Sequence, residues 1–488
     1  MKVNNTIFNE IKEAFVHLQR VLSDKYENVS VLVEKTNGKN YRLSKSGTLI
    51  KDNMFANCGA VIRLNSIIGL YEYSFNDFSP QFMQNIPSII ADTLNKYSDN
   101  TSFNAHTDSF SPETLSDKSK TDIPHLSSEE FISFNKSTDY EINPETLNDD
   151  EITCSLEKIY NKAMNYDNKI TDCICIYQYL CIHKMFISDY KNLEQHIMWS
   201  NGVIEPMASL DGKTQYYLQT FSTLGGAELL NNMDTDVDYS CKCAIELLDS
   251  TPPVAGVYDV ICLPDVTGLI AHEAFGHGVE MDMFVKNRAL AKNYIGEPIA
   301  SSLVTMHDNA STCMESGSYF FDDEGTISND TIIIEKGILK SGINDLQSAI
   351  SLNVTPTGNG RRESYEKKAY TRMTNTYFEA GNDKLEDMIS SIEYGILLEN
   401  GSSGMEDPKN WGIQCMVNIG REIKNGKLTG KIFSPICLSG YVPDLLHSIS
   451  MVSDDLHLSG CGYCGKGYKE WVKVSDGGSA IKAKVAIS

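Results

Sequence analysis

Apolar positions along the chain follow two periods, and the switches between them predict the order of elements. Ile7, Ile11, Phe15, Leu18 and Leu22 recur at helical spacing across residues 5–22. Strand-like runs come next at 29–33, 41–43, 48–51, 59–64 and 67–73. Turn residues such as Asn37-Gly38 and Ser46-Gly47 separate them, so the group predicts an antiparallel meander. Helical spacing returns at 80–97. From residue 98 to about residue 150 Ser, Thr, Asp, Asn and Glu dominate, which predicts a loop or disordered insertion that adds little core. A helix at 154–165 and strands at 173–179, 183–188, 195–201 and 215–221 complete this half.

A helical stretch at 241–248 then runs into Ser250-Thr251-Pro252-Pro253-Val254, a boundary signal. Residues 257–263 form a compact apolar run that stops at Pro264. A helix is expected directly after it, with Asp265 or Thr267 as N-cap. Strand patterns at 331–335, 413–421, 431–438 and 480–486 follow in glycine-rich surroundings, and Asn425-Gly426 predicts a tight hairpin. Together the patterns predict an α+β protein. An N-terminal α+β domain with an antiparallel sheet is expected over 1–222, and a strand-rich C-terminal domain carrying the helix after Pro264 over 223–488.

Composition narrows the class. A chain of 488 residues fits two domains or more. No run approaches the roughly 18 consecutive apolar residues of a membrane span. Residues 1–10 lack the apolar core of a secretory signal, so the thirteen cysteines predict free thiols in a reducing cytoplasm. A net charge of −23 disfavours nucleic acid and anionic membrane as partners.

The candidate chemistry begins in the helix after Pro264, where His272-Glu273-Ala274-Phe275-Gly276-His277 reads H-E-x-x-x-H. Two imidazoles can bind Zn²⁺, and a carboxylate beside the first can take a proton from water. The spacing is one residue longer than in the familiar H-E-x-x-H. On a regular α-helix the two histidines would point about 140° apart, so the motif demands a wide turn, of the π type, between them. Gly276 and Gly278 ease such a distortion. A third ligand must come from elsewhere, and the best candidate stretch is the glycine-framed Ser459-Gly-Cys461-Gly-Tyr-Cys464-Gly-Lys-Gly467. Its C-x-x-C is also compatible with a redox pair, half a zinc ribbon, or two ordinary thiols.

Several stretches in order resemble the TldD/PmbA family of zinc-dependent peptidases, in its metal-binding TldD branch. They are residues 268–282 with the histidine motif, Gly317-Ser-Tyr-Phe-Phe-Asp-Asp-Glu-Gly325, Thr357-Gly-Asn-Gly-Arg-Arg-Glu-Ser-Tyr365, Arg372-Met-Thr-Asn-Thr-Tyr377 and Cys464-Gly-Lys-Gly467. The resemblance implies one zinc per chain held by His272, His277 and Cys464, with Glu273 as general base and Cys461 as an extra thiol. It also implies unfolded or short peptides as substrates, bound as extended strands. The partner would be a second copy or a sister subunit of the same family, in a cytoplasmic dimer. Tyr319, Arg361, Arg362, Tyr365, Arg372 and Tyr377 lie in the shared motifs and are candidates for gripping substrate or its oxyanion. The alternative is a subunit that binds peptide or partner without cleaving. Two features depart from the family pattern: the polar insertion, and Tyr468-Lys-Glu-Trp-Val-Lys473 where a Gln and a Pro/Val/Gly-rich tail are usual.

Overall fold

Two long strands organise the first half of the protein. Ile170–Ser188 and Lys191–Leu210 pair antiparallel along most of their length. They fuse into single elements what the apolar pattern divides at 173–179, 183–188 and 195–201. Within the first of them the Lys184 ammonium is flanked by Glu34 and Asp323. Glu27–Asn37, Asn57–Ser66 and Gly69–Phe75 extend the sheet on one side and Gln219–Thr223 on the other, and four further strands off this path, Lys39–Ser44, Gly47–Asp52, Ile132–Ser137 and Lys213–Tyr216, bring it to ten. The computed structural model describes residues 6–66, 69–99, 130–312, 315–467 and 470–488. Residue 5 of the first predicted helix and residues 67–68 of the predicted run at 67–73 therefore lie outside it.

Helices Thr6–Ser23 and Pro80–Asp99 close one core, in which Phe15, Leu18 and Leu22 meet Ile86, Ile90 and strand residues such as Val31 and Ile62. Asp149–Met164 opens with a capping box between Asn148 and Glu151. With Leu229–Thr235 and Val237–Glu246 it closes a second core against the sheet.

The polar stretch at 98–150 needs correcting. Residues 100–129 lie outside the described residues, but Ile132–Ser137 form a strand parallel to Lys191–Leu210, and the capping-box helix starts at Asp149. An edge strand is held by main-chain hydrogen bonds and keeps one face in water, so it needs little apolar sequence to form.

Behind this sheet the C-terminal half builds a seven-stranded sheet around Gly256–Cys262, Tyr394–Asp407 and Ile481–Ile487. A six-stranded one contains Met306–Asn309, Asn375–Phe378 and Ser475–Gly478. Asn425 and Gly426 both take positive φ, 52° and 73°, in the predicted hairpin between Gly412–Lys424 and Lys427–Phe433. The run at 431–438 is divided by Pro435, which cannot donate to a ladder, so Ile436–Tyr441 is a separate strand. The architecture is α+β. Among the described residues no helix is long and apolar enough to cross a membrane.

The helix after Pro264 spans Pro264–Ile270 and packs against both C-terminal sheets. Its N-cap is Leu263, with Pro264 at the first position, and neither Asp265 nor Thr267 caps it. The Asp265 carboxylate instead accepts the Gly401 N–H at 3.0 Å, and the Thr267 hydroxyl donates to the Cys262 carbonyl at 3.1 Å. Both side chains anchor the helix to its sheet rather than to its own first turn.

Candidate metal centre

The helix widens before it ends. Ala271–Gly276 is π-helical, and His277–Val279 tightens into a 3₁₀ turn. The wide turn required by the five-residue spacing is therefore present. The rings of His272 and His277 stand 5.2 Å apart between centroids and nearly perpendicular, at 86°. The glycines act differently from the expectation. Gly276 keeps a helical φ of −61°, and what excludes a side chain there is Met373, whose Sδ would lie 2.2 Å from a Cβ. At Gly278 a Cβ would come within 2.4 Å of Glu406 Oε1.

Cys464 reaches the histidines from the far end of the chain, in the short strand Tyr463–Cys464 paired with Val472–Lys473. Its Sγ lies 3.5 Å from His277 Nε2. One donor atom from each of His272, His277 and Cys464 lies within 4.8 Å of the others. Two ligands of a tetrahedral zinc, with bonds of about 2.0–2.3 Å, sit about 3.5 Å apart, so little movement closes this set on one ion. His272 Nδ1 is buried without a protein partner. Two imidazoles and a thiolate, in a pocket that leaves one imidazole nitrogen unsatisfied, fit zinc.

The electrostatics prepare the same donors. Burial raises the Cys464 thiol, but His277 and His272 beside it prevail and hold it well below the usual range. Burial likewise opposes charge on His272 and His277, and the Cys464 thiolate outweighs it, raising both. These shifts favour the thiolate, and an entering cation would displace protons from the imidazoles. Glu273 lies with Oε2 3.9 Å from His277 Nε2. Burial raises its carboxyl against the pull of His272 and His277, a setting suited to a group that accepts and returns a proton.

Around these groups stands a layer the sequence reading passes over. Glu280 is buried, with Oε2 3.6 Å from His277 Nδ1. Lys466 bridges Glu280 and Asp282, at 2.9 Å from each. Glu406, pushed well up by burial, accepts the Gly278 N–H at 2.8 Å and keeps Oε1 without a partner. Asp476 is pushed up to about 6 by burial in the neighbourhood of His272 and Glu273. The signals for the first three residues were the Glu-Met-Asp that ends the histidine motif and the lysine of Cys-Gly-Lys. Orienting groups of this kind fix the ring and tautomer of a metal-ligating histidine.

The six arginine and tyrosine candidates are placed as follows. Arg372 is buried and donates to the Cys464 carbonyl at 2.6 Å, so it holds the cysteine's main chain. Arg361 donates to the carbonyls of Met373 and Lys473 and lies over the Tyr319 ring. The Tyr319 hydroxyl donates to the Gly358 carbonyl at 2.6 Å. Arg362 pairs with Glu72 at 3.0 Å, Tyr365 meets Glu366 at 3.2 Å, and Tyr377 stacks on His307. Tyr319, Arg361 and Arg362 share one cleft, and none of the six belongs to the His272, His277 and Cys464 cluster. The Cys461 thiol points to the first sheet and donates to the Phe221 carbonyl at 2.9 Å, with burial raising its pKa. The two cysteines of the C-x-x-C thus have opposite environments.

The family model for the PmbA/TldA metallopeptidase C-terminal domain matches residues 255–482. A protein of Buchnera aphidicola named as a metalloprotease TldD homolog is 38% identical over 235 residues, 47% of this chain and 48% of that protein. Residues 255–482 match the TldD/PmbA family. A Saccharolobus solfataricus member, named as a zinc metalloprotease TldD homolog, is 34% identical over 244 residues, 50% of this chain and 54% of the relative. The chain thus spans about half the length of these TldD/PmbA relatives. The family fold extends further. The solved structure of TldE from Thermococcus kodakarensis superposes with a TM-score of 0.70 at 16% identity, covering 97% of this chain and all of that one.

Proposed function

We propose that this chain is a zinc-dependent peptidase acting on unfolded or short peptides, with His272, His277 and Cys464 as the metal ligands. The observation that carries the reading is the convergence of those three side chains beside Glu273 on a helix widened to let the histidines meet. The names of its relatives support the same chemistry. Zinc bound there would supply Lewis acidity and lower the pKa of water. Glu273 takes the proton from the attacking water and returns it to the leaving amine. Glu280, held by Lys466, orients the His277 ring, and Arg372 fixes the main chain of Cys464. In this reading the substrate lies extended beside the metal, held by main-chain hydrogen bonds. The dimer partner in this proposal is a second copy or a sister family subunit.

A non-cleaving subunit would have no use for a half-buried carboxylate at position 273, because zinc binding alone does not require one. Metal dependence tests the proposal. A strong chelator should abolish cleavage of an unstructured peptide, and one equivalent of zinc per chain should restore it. Cleavage that persists without metal would contradict it.

A further inference from the structure

On the other side of the Tyr463–Cys464 strand a partly open cleft lies between the first sheet and the C-terminal half. None of His272, Glu273, His277 or Cys464 lines it. Lys473, in its wall, is only 7% exposed. Its Nζ donates to Asn201 Oδ1 at 2.6 Å and sits 4.4 Å from the centre of the Tyr463 ring and 4.8 Å from that of Trp199. No carboxylate among the described residues is within ion-pair distance of it; burial pushes its pKa down to about 8, against the opposing pull of Cys461 and of the buried Glu315 nearby.

Arg361, also in the wall, has its terminal nitrogens on two carbonyls and no carboxylate partner among the described residues. Trp199 Nε1 and the Tyr463 hydroxyl are buried without any hydrogen-bond partner. The acids nearby are largely satisfied. Lys184 bridges Glu34 and Asp323, and Asp322 accepts the N–H groups of Thr326 and Gly360. In all, four carboxylates and four cations line the cleft.

Unpaired buried ammonium and orphaned N–H and O–H groups call for an anionic acceptor, and the rings beside them call for an apolar body. We propose that this cleft binds a carboxylate carried on an apolar body, with Lys473, Trp199 Nε1 and the Tyr463 hydroxyl on the carboxylate and Phe55 and Trp471 against the body. In a peptidase the source is a peptide, through its C-terminus or an acidic side chain, and in that respect the inference rests on the proposed function. Trp471 and Lys473 belong to the segment where the sequence departs from the family pattern.

The test is calorimetric titration of the full chain, chelator-treated and zinc-loaded, with acetyl-Ala-Ala-Phe as free acid, the same peptide as its amide, and amidated acetyl-Ala-Glu-Phe. Binding is read without turnover, so it can fail while zinc-dependent cleavage stands, or stand while cleavage fails. The free acid should bind about 10–100-fold more tightly than its amide, metal present or absent. Lys473→Met should remove that difference, and Tyr463→Phe should reduce it. Strong binding of the amidated Glu peptide assigns the carboxylate to a side chain, and weak binding assigns it to the C-terminus. Equal binding of acid and amide by the wild-type chain overturns the proposal even if Lys473→Met does not fold. So does a preference for the acid that survives both substitutions.

Discussion

Glu273→Gln should all but abolish peptide turnover while zinc and peptide still bind. The amide is nearly isosteric with the carboxylate, so the buried space beside His277 stays filled and the helix keeps its wide turn. What disappears is the ability to accept a proton from water and return it to the leaving amine. General acid–base assistance contributes about 10²–10⁴-fold, and the loss should fall on kcat with KM little changed. Peptide turnover and zinc content of the two proteins, measured together, check this. Full turnover in Glu273→Gln would remove the residue from the mechanism.

Cys464→Ala should lose zinc, whereas Cys461→Ala should keep both zinc and turnover. Cys464 supplies the thiolate that stands 3.5 Å from His277 and sustains the charge on both imidazoles. Without it two neutral histidines remain, too few to hold a catalytic zinc tightly. Cys461 faces the first sheet with its thiol on the Phe221 carbonyl, so its removal should cost about 1 kcal/mol of stability and nothing of the metal. Metal analysis after dialysis separates the variants, and the opposite pattern would reverse the ligand assignment.

How much of this was legible beforehand depended on whether the determining forces were local. The wide turn was readable because the spacing of His272 and His277 conflicts with α-helical geometry, and the conflict is resolved within the helix itself. The tight turn at Asn425-Gly426 was readable for the same reason, since positive φ is a property of those residues. The strand at Ile132–Ser137 was not, because its partner Lys191–Leu210 supplies the order that its own polar sequence lacks. Asp265 looks like a helix cap in sequence, and only the approach of Gly401 turns its carboxylate away. The groups around the histidines were hidden in a further sense. Glu280, Lys466 and Arg372 each look like a surface charge when read alone. They become a supporting layer only when three distant stretches meet, and the burial that results is what makes their pairing obligatory.

X-ray absorption at the zinc edge of the metal-loaded protein tests most directly whether one ion sits among His272, His277 and Cys464. One sulfur at about 2.3 Å with two imidazole nitrogens at about 2.0–2.1 Å is the predicted shell, completed by a light oxygen ligand. The sulfur should vanish in Cys464→Ala and persist in Cys461→Ala. A shell with two sulfurs, or with none, would contradict the proposed centre.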